Sequence, residues 1–532
     1  MSKKIICLVM SGLMALSLMI TACGPAAAPT TPPTSTTPTT PSTQTTPTTP
    51  TTPVEKEAVK PSAEVPKYGG TFMLSLSGDV TTWDPMRIIN SGIVNLTNQQ
   101  LFEGDWAKGP AGGYGTSQTD WAYGNNDLFD LKAGRLAESA KWTSDTAKNE
   151  GTIVYQIRHG VRWALNPTSE ASRLVGGREM TADDVVFSFR QATTKPLGYV
   201  YINNPELRTA NITKTGNWEV TITVSLDALI IALSRFNDAV LVVPPEVVAK
   251  YGDMSVWKNS VGTGPFMITD FVPGSTAVLV RNPSYWMKDP IGPGKGNQLP
   301  YLDSVQFLIL PDASTRLAAL RTGKIDQMSS LSREDSTSLK KTAPALMEQS
   351  STSFQGRGNP PLNMRIDKPP FNDIRVRRAM NMAIDFNAIL QGYFGGQGQI
   401  YTWPHSKIKE YQELYLDFND YPASAKELYS YNPEKAKQLL KEAGYPNGFK
   451  TSIVLVSTEV DFISIYKDYL SKVGVDMTLD VKESTVKSTM QTSKTHEAMI
   501  TGDTAPIAIF SNGQPITGTA HNNRSMVNDP YI

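Results

Sequence analysis

The stretch VGTGPFMITDFVPGSTAVLVRNPSYW, residues 261–286, combines glycine-rich turn signals with apolar runs that are typical of strands. Its first six residues, 261–266, lack both the G-x-x-x-x-G-K-[ST] and the G-x-G-x-x-G spacing of phosphate-binding loops, so we interpret them as a tight turn that feeds a strand. A strand is also predicted at 277–281, and Asn282 and Pro283 mark its end. The stretch therefore predicts sheet structure and not a nucleotide-binding loop.

Strand and helix signals alternate on both sides of this stretch. Further strands are predicted from the alternation of apolar residues at 69–76, 153–158 and 220–224. Helices are predicted at 312–322 and 374–390. No internal repeat with a period of roughly 20–50 residues is visible. This order of elements predicts an α/β or α+β fold.

Two further helices are indicated by their capping residues. Thr181 is the expected N-cap of the first, and Asp184 is the acidic third position of a capping box. We therefore interpret the adjacent carboxylates of Asp183 and Asp184 as helix-start residues in preference to a catalytic pair. The second helix has Asn432 as its N-cap, a proline in the first turn and Gly444 as its stop.

The composition excludes several classes of protein. The chain of 532 residues carries 50 Lys+Arg and 50 Asp+Glu, a formal net charge of +0, and its pI is ≈ 6.9. Such a balance provides no polycationic surface for a nucleic-acid backbone. Both cysteines, Cys7 and Cys23, lie near the N-terminus, so we expect neither a disulfide framework nor a cysteine-based zinc site in the body.

Residues 1–22 are predicted to be a lipoprotein signal peptide. Lys3 and Lys4 precede an apolar run of sixteen residues, 5–20. This run is shorter than the ~20 residues of a permanent membrane-spanning helix. The sequence ITAC at 20–23 resembles the bacterial lipobox, which implies that Cys23 is lipidated and becomes the new N-terminus. An uncleaved anchor helix with a chance cysteine is the alternative.

Residues 23–67 are predicted to be a disordered tether. They include TTPPTSTTPTTPSTQTTPTTPTTP at 30–53, which contains no large apolar residue and so cannot bury enough surface to fold. An extended chain of this kind, roughly 40 residues at ~3.1 Å each, reaches about 130 Å. The folded body is therefore expected to be held close to a membrane by a flexible tether.

The sequence lacks the common catalytic and metal-binding motifs, which favours binding over catalysis. No G-x-S-x-G motif occurs, and the four histidines are scattered. Residues 496–500 begin like a zinc-protease helix but carry isoleucine where the second histidine is required. Residues 417–422 begin like a calcium loop but lack the later ligand and glycine. The arginines at 375, 377 and 378 are interpreted as a solvated or salt-bridged face in preference to an anion site. We expect no catalytic residue, no metal site and no cofactor.

Eight segments, taken in chain order, resemble the dipeptide- and oligopeptide-binding proteins of ABC importers, solute-binding protein family 5. Together they cover most of the chain from residue 68 onward. The segments are YGGTFMLSLSGDVTTWDP (68–85), GRLAESAKW (134–142), IVYQIRHGVRW (153–163), MTADDVVFSF (180–189), VGTGPFMITDFVPGSTAVLVRNPSYW (261–286), LPYLDSVQFLILPDASTRLAALRTGKID (299–326), PPFNDIRVRRAMNMAID (369–385) and YNPEKAKQLLKEAGYPNGF (431–449).

The resemblance implies an α/β fold: a two-lobed clamshell of the periplasmic-binding-protein type (class II) with an additional family-specific domain. It places scaffold domain I at 68–104 and 248–345, and the extra domain II at 105–247. The second lobe, domain III, is expected at 346–532. The resemblance also implies that the chain returns to domain I after the second lobe. We expect that this returning segment, roughly 60–90 residues, is missing at the C-terminus.

The resemblance also suggests where a ligand binds. In peptide-binding members, main-chain hydrogen bonds hold an extended peptide and one aspartate neutralises its ammonium group. By position that aspartate is Asp503. The other residues implied at the ligand are Ile500, Thr501 and Gly502 beside it, and Asn90 and Ser91 at the edge of the cleft. Met499 and Ile500 depart from the glycine and tryptophan that are usual in the family.

We therefore expect an extracytoplasmic lipoprotein, not an enzyme, that captures peptides between two lobes and delivers them to the permease and ATPase subunits of an ABC importer. It is expected to be a monomer, lipid-anchored to the outer face of the bacterial cytoplasmic membrane, in the periplasm or cell-wall space. The region 103–130, rich in aromatic and amide residues, leaves an oligosaccharide-binding receptor as the alternative. A secreted hydrolase and a structural surface lipoprotein are remote alternatives.

Overall fold

The computed structural model describes residues 65–87, 92–105, 132–329, 331–348, 361–400, 415–502 and 523–528. The strands in these ranges are β1 Thr71–Leu76, β2 Phe102–Gly104, β3 Lys132–Gly134, β4 Ala137–Asp145, β5 Glu150–Ile157, β6 Asn211–Gly216, β7 Glu219–Ser225, β8 Phe266–Val272, β9 Thr276–Arg281, β10 Ser304–Ile309, β11 Leu362–Met364, β12 Phe449–Leu455, β13 Val475–Val481 and β14 Met499–Thr501.

The helices in the same ranges lie between and around these strands. They are α1 Val94–Thr97, α2 Glu170–Val175, α3 Ala182–Thr194, α4 Tyr199–Asn203, α5 Leu229–Asp238, α6 Pro245–Tyr251, α7 Ala313–Arg321, α8 Arg333–Thr342, α9 Ile374–Met382, α10 Phe386–Gly392, α11 Ala423–Leu428, α12 Pro433–Glu442, α13 Val460–Ser471 and α14 Ser484–Ser493. None of the helices described here is long and apolar enough to cross a membrane.

The first sheet joins parts of the chain that are far apart in sequence. Its strand order is β1-β10-β9-β8. Strand β1 runs parallel to β10, with Thr71 opposite Ser304, and these two residues are 233 positions apart. The other two pairings are antiparallel. Buried apolar residues such as Trp83, Leu279 and Phe307 form the core beneath this sheet.

The glycines of the segment 261–266 allow two stretches of backbone to approach closely. The Gly264 N–H donates a hydrogen bond to the Thr97 carbonyl oxygen over 2.9 Å. A Cβ atom on Gly262 would lie 1.8 Å from that same oxygen, and one on Gly264 would lie 2.5 Å from the Leu96 carbonyl oxygen. The segment leads into β8 as predicted, and its glycines are needed because the end of α1 packs directly on them.

The second sheet, β4-β5-β7-β6, is antiparallel throughout and packs against α3 and α5. Helix α3 begins where its caps predict, because the Asp184 Oδ2 atom accepts the Thr181 backbone N–H over 2.8 Å. The guanidinium of Arg178 donates to both oxygens of the same carboxylate, over 2.8 and 2.6 Å. The interpretation of Asp184 as a helix-start residue is therefore confirmed.

The third sheet has the order β11-β14-β12-β13, in which β12 runs parallel to both β13 and β14. Helices α9, α12 and α13 cover one face with a buried apolar core. Helix α12 confirms its predicted caps, since the Asn432 side chain accepts the Lys435 N–H and Gly444 has φ +94°. The predicted solvated or salt-bridged face is confirmed for Arg375, paired to Asp373, and for Arg378, paired to Glu427. Arg377 donates instead to the carbonyl oxygens of Phe371 and Asn372.

The single helix predicted at 374–390 is wrong. Helix α9 ends at Met382 and α10 starts anew at Phe386. The Asp385 side chain accepts the Ala388 N–H over 2.8 Å and so caps α10. A carboxylate that can bond to the backbone in this way favours a helix start over a helix interior.

Each predicted domain range contains one of the four-stranded sheets. The first sheet draws its strands from 68–104 and 248–345, the second from 105–247 and the third from 346–532. The domain bounds themselves stay a prediction.

Candidate functional site

The carboxyl ends of β12, β14 and β13 meet at one edge of the third sheet. They end at Leu455, Thr501 and Val481, and the parallel pairing places these ends side by side. In open sheets with parallel strands, ligands bind outside the carboxyl ends of the strands. The predicted ligand residues Ile500, Thr501 and Gly502 belong to this edge, so we take it as the candidate site.

Thr501 is fully buried at this edge, and its Oγ1 atom lies 3.3 Å from the Val454 carbonyl oxygen of the neighbouring strand β12. Its hydroxyl donates to the Glu459 Oε2 atom over 2.6 Å. The same carboxylate oxygen accepts the Val456 backbone N–H over 2.9 Å. Glu459 precedes α13 and thereby joins the ends of β12 and β14 to the start of that helix.

Lys487 of α14 completes this polar cluster. Its Nζ atom lies 2.8 and 2.9 Å from the two oxygens of Glu459. The two side chains are only 10% and 15% exposed, so the ion pair is largely removed from water. Gln491, one turn further along α14, donates to the Thr501 carbonyl oxygen over 2.7 Å. The end of β14 is therefore fixed by side chains on both sides.

Gly502 lies where two side chains cross the backbone. A Cβ atom there would be 2.7 Å from both the Asn363 Nδ2 and the Arg524 Nη1 atoms. Asn363 also donates to the Ile500 carbonyl oxygen over 3.1 Å. Any side chain at position 502 would displace these neighbours, so glycine is the residue that lets them approach.

Ile500 is fully buried and stands opposite Val454 of β12 and Asn363 of β11. Met499, one residue earlier, belongs to the apolar core under the other face of the sheet. The structure thus brings Ile500, Thr501 and Gly502 together at one edge, and their role in binding stays a prediction. Asp503, Asn90, Ser91 and Cys23 lie outside the described residues.

Glu459 and Lys487 are the residues that sequence reasoning missed. An acidic residue before an apolar helix is an ordinary helix-start signal, so Glu459 could have been identified as a cap. No sequence signal singles out Lys487, which is 28 positions away from its partner. Among the described residues, no group of three or more His, Cys, Asp or Glu side chains is arranged to hold a metal ion.

His496 lies three residues before the start of β14, is fully buried and contacts the Arg524 carbonyl oxygen over 3.0 Å through Nε2. Burial, together with the nearby charge of Arg365, lowers the pKa of His496 from 6.5 to about 4. Arg365 itself donates to the carbonyl oxygens of Lys494 and His496. The imidazole is therefore neutral in the folded protein near neutral pH.

We expect stability to fall in mild acid because of His496. Below pH 6.5 the unfolded chain takes up a proton on this residue, whereas the folded protein takes it up only near pH 4, so protons favour unfolding between these two pH values. The loss from this residue between pH 6.5 and 5 is about 1.6 kcal/mol. Urea unfolding at both pH values measures it. His496→Gln should flatten the pH dependence and His159→Gln, an exposed site, should not; equal slopes in all three proteins would contradict the assignment.

Most of the chain is similar to known proteins. Residues 133–518 match the model of the bacterial extracellular solute-binding proteins, family 5 Middle. The chain is 30% identical over 354 residues to heme-binding protein A of Haemophilus influenzae, covering 61% of this chain and 57% of the relative. It is 27% identical over 361 residues to the dipeptide-binding protein of Escherichia coli K12, covering 62% of this chain and 59% of the relative. The chain therefore spans less than two thirds of the length of these two relatives.

Solved structures share the fold. The Haemophilus influenzae OppA complex with the peptide RPPGFSPFR matches with a TM-score of 0.64 at 20% identity, covering 87% of this chain and 85% of the other. Helicobacter pylori DppA in complex with the peptide STSA matches with a TM-score of 0.61 at 21% identity and the same coverages. These likenesses confirm the predicted α/β fold of the periplasmic-binding-protein type.

Proposed function

Because the chain belongs to family 5 of the bacterial extracellular solute-binding proteins, we propose that it captures peptides outside the cytoplasm and delivers them to an ABC importer. The match to residues 133–518 is the observation that carries this proposal. Membership in a binding family also confirms the expectation of a binding protein and not an enzyme. The permease and ATPase subunits of the importer are the proposed partners.

The proposed ligand site is the edge formed by the ends of β12, β13 and β14. Relatives named as dipeptide-binding and glutathione-binding proteins support a peptide ligand, as do the peptides held by two of the similar structures. We assign the ammonium group of the peptide to Asp503, next to the fixed end of β14. A charge-assisted hydrogen bond of this kind is worth about 1.5–3 kcal/mol. Asn90 and Ser91 are proposed on the facing edge of the cleft.

A thermal-shift panel tests the proposal. The purified chain is heated with mixed di- to pentapeptides, glutathione, oligosaccharides or hemin; the hemin arm reflects the relative named as a heme-binding protein. A ligand at 100 times its dissociation constant stabilises the folded protein by about 2.7 kcal/mol. We expect stabilisation by peptides. Stabilisation by sugars alone would support the oligosaccharide alternative, and by hemin alone a heme receptor; each would reject the peptide ligand.

The role of Asp503 is tested separately from the ligand class. Asp503→Asn is expected to lower the affinity for peptides with a free ammonium group about tenfold, because that group loses its counter-charge. N-acetylated peptides have no ammonium group, so wild type and variant should bind them equally. If the variant binds both kinds of peptide as well as wild type, Asp503 does not contact the ammonium group.

We also propose that the mature chain begins at lipidated Cys23 and is held at the outer face of the membrane by the tether 23–67. Mass spectrometry of the membrane fraction should show an acylated N-terminal peptide starting at Cys23. Cys23→Ser should abolish the acyl mass, and Cys7→Ser, which changes a residue of the signal peptide, should leave it in place. An acylated product from the Cys23→Ser gene would exclude this anchor.

A further inference from the structure

A cavity separate from the third sheet lies between the turn at 84–87, the end of α3 and the end of α6. Its volume is ≈ 170 Å³. That is smaller than the roughly 300–1,000 Å³ of pockets for drug-sized ligands, so the cavity suits a smaller molecule. None of its lining residues belongs to the candidate site described above.

The inner wall of this cavity carries a buried carboxylate. Asp84 is 5% exposed and accepts the Met86 backbone N–H over 3.1 Å. Arg87 lies 3.4 Å from the Asp84 Oδ2 atom through Nε and donates to Asp253 over 2.8 Å through Nη2. Burial is the main influence on Asp84 and raises its pKa, so its negative charge is incompletely compensated. A positive ligand group beside Asp84 would complete that compensation.

The mouth of the cavity carries a cation and an apolar surface. Lys195 is exposed, and in the described part of the chain its ammonium group forms no ion pair or hydrogen bond, although its charge acts on Asp84. Leu197 is 61% exposed beside it, and Met86 and Val248 extend the apolar lining. The charged residues that line the cavity carry a net charge of zero: two carboxylates, Asp84 and Asp253, and two cations, Arg87 and Lys195. A ligand without net charge preserves that balance.

We propose that this cavity binds a small amphipathic zwitterion of amino-acid size. Its carboxylate pairs with Lys195, its apolar side chain covers Leu197 and Met86, and its ammonium group points toward Asp84. Its lining shares no residue with the proposed peptide site, although Arg87 lies only three residues before Asn90.

Isothermal titration of the purified chain with three related compounds tests the proposal. L-leucine carries both charged groups, 4-methylpentanoate lacks the ammonium group, and 3-methylbutylamine lacks the carboxylate. We expect leucine to bind at least tenfold more tightly than either of the other two. Absence of leucine binding, or equal binding of all three compounds, would overturn the proposal.

Variants locate the binding. Lys195→Gln should lower the affinity for leucine at least tenfold and leave the affinity for 3-methylbutylamine unchanged. Leu197→Ser should lower the affinity for all three compounds. Both side chains are exposed, so the folded state should survive, as circular dichroism melting checks. Lys441→Gln, an exposed lysine on α12, is the matched control and should change nothing. Leucine affinity unaltered by Lys195→Gln would reject this cavity, while peptide stabilisation in the same variant reports on the cleft alone.

Discussion

Gly262→Ala is expected to lower the free energy of unfolding by at least 3 kcal/mol, the upper end of the usual cost of overpacking. The added Cβ atom would stand 1.8 Å from the Thr97 carbonyl oxygen and 2.8 Å from the Asn98 side chain. Thr97 and Asn98 are buried and hydrogen-bonded, so the backbone cannot simply move away. The end of α1 would have to separate from the segment that leads into β8. Urea unfolding followed by circular dichroism measures the change.

Gly392→Ala is the matched control for this experiment. Gly392 is the last residue of α10, and a Cβ atom there would have no neighbour within 4 Å. Alanine in a helix is favoured over glycine by about 0.5–1 kcal/mol, so this variant should be as stable as wild type or slightly more stable. If Gly262→Ala also remains within 1 kcal/mol of wild type, the tight packing between the two segments is disproved.

Lys487→Met is expected to cost about 3–5 kcal/mol, the usual penalty for removing one member of a buried ion pair. Glu459 would keep the hydroxyl of Thr501 and the Val456 N–H but would lose its only counter-charge within the described salt bridges. Because these groups fix the end of β14, the variant should also weaken peptide binding if the proposed site is correct. The free energy of unfolding and the peptide affinity are measured on the same protein.

Two further variants separate burial from charge. Lys437→Met removes the partner of Glu434 in an ion pair whose side chains are 49% (Lys437) and 81% (Glu434) exposed. It should lower the free energy of unfolding by at most 1 kcal/mol. Adding Glu459→Leu to Lys487→Met should recover part of the lost stability, because the unpaired carboxylate is removed as well. A double variant less stable than Lys487→Met alone would mean that Glu459 stabilises the edge mainly through Thr501.

The helix caps could be predicted from sequence because they are local. Thr181 with Asp184, and Asn432 with the proline that follows it, act within one turn of the chain, so neighbouring residues contain all the information. The break between α9 and α10 is also marked by a local cap, but the helix prediction overlooks it. An apolar pattern continues through it, and only the Asp385 side chain, bonded to the Ala388 N–H, shows that a new helix starts.

The candidate site could be located from sequence only in part. The family resemblance directs attention to 500–503, but the contacts that shape this edge come from residues 42 positions away, as for Glu459, and 137 positions away, as for Asn363. The same holds for Gly262, whose glycine is needed because Thr97 packs on it and not because of a turn. Pairings of this kind depend on the whole fold and leave no pattern in the adjacent sequence.

The parallel pairing of β1 with β10 also sets the order in which the body can assemble. Thr71 meets Ser304 only after the intervening residues exist, which takes roughly 10–50 s of ribosomal synthesis. During that time β1 lacks its partner strand β10. Closing so long a loop also costs conformational entropy before any hydrogen bond between the two strands forms. The first sheet can therefore be completed only late in synthesis, whereas the second sheet needs no strand beyond Ser225.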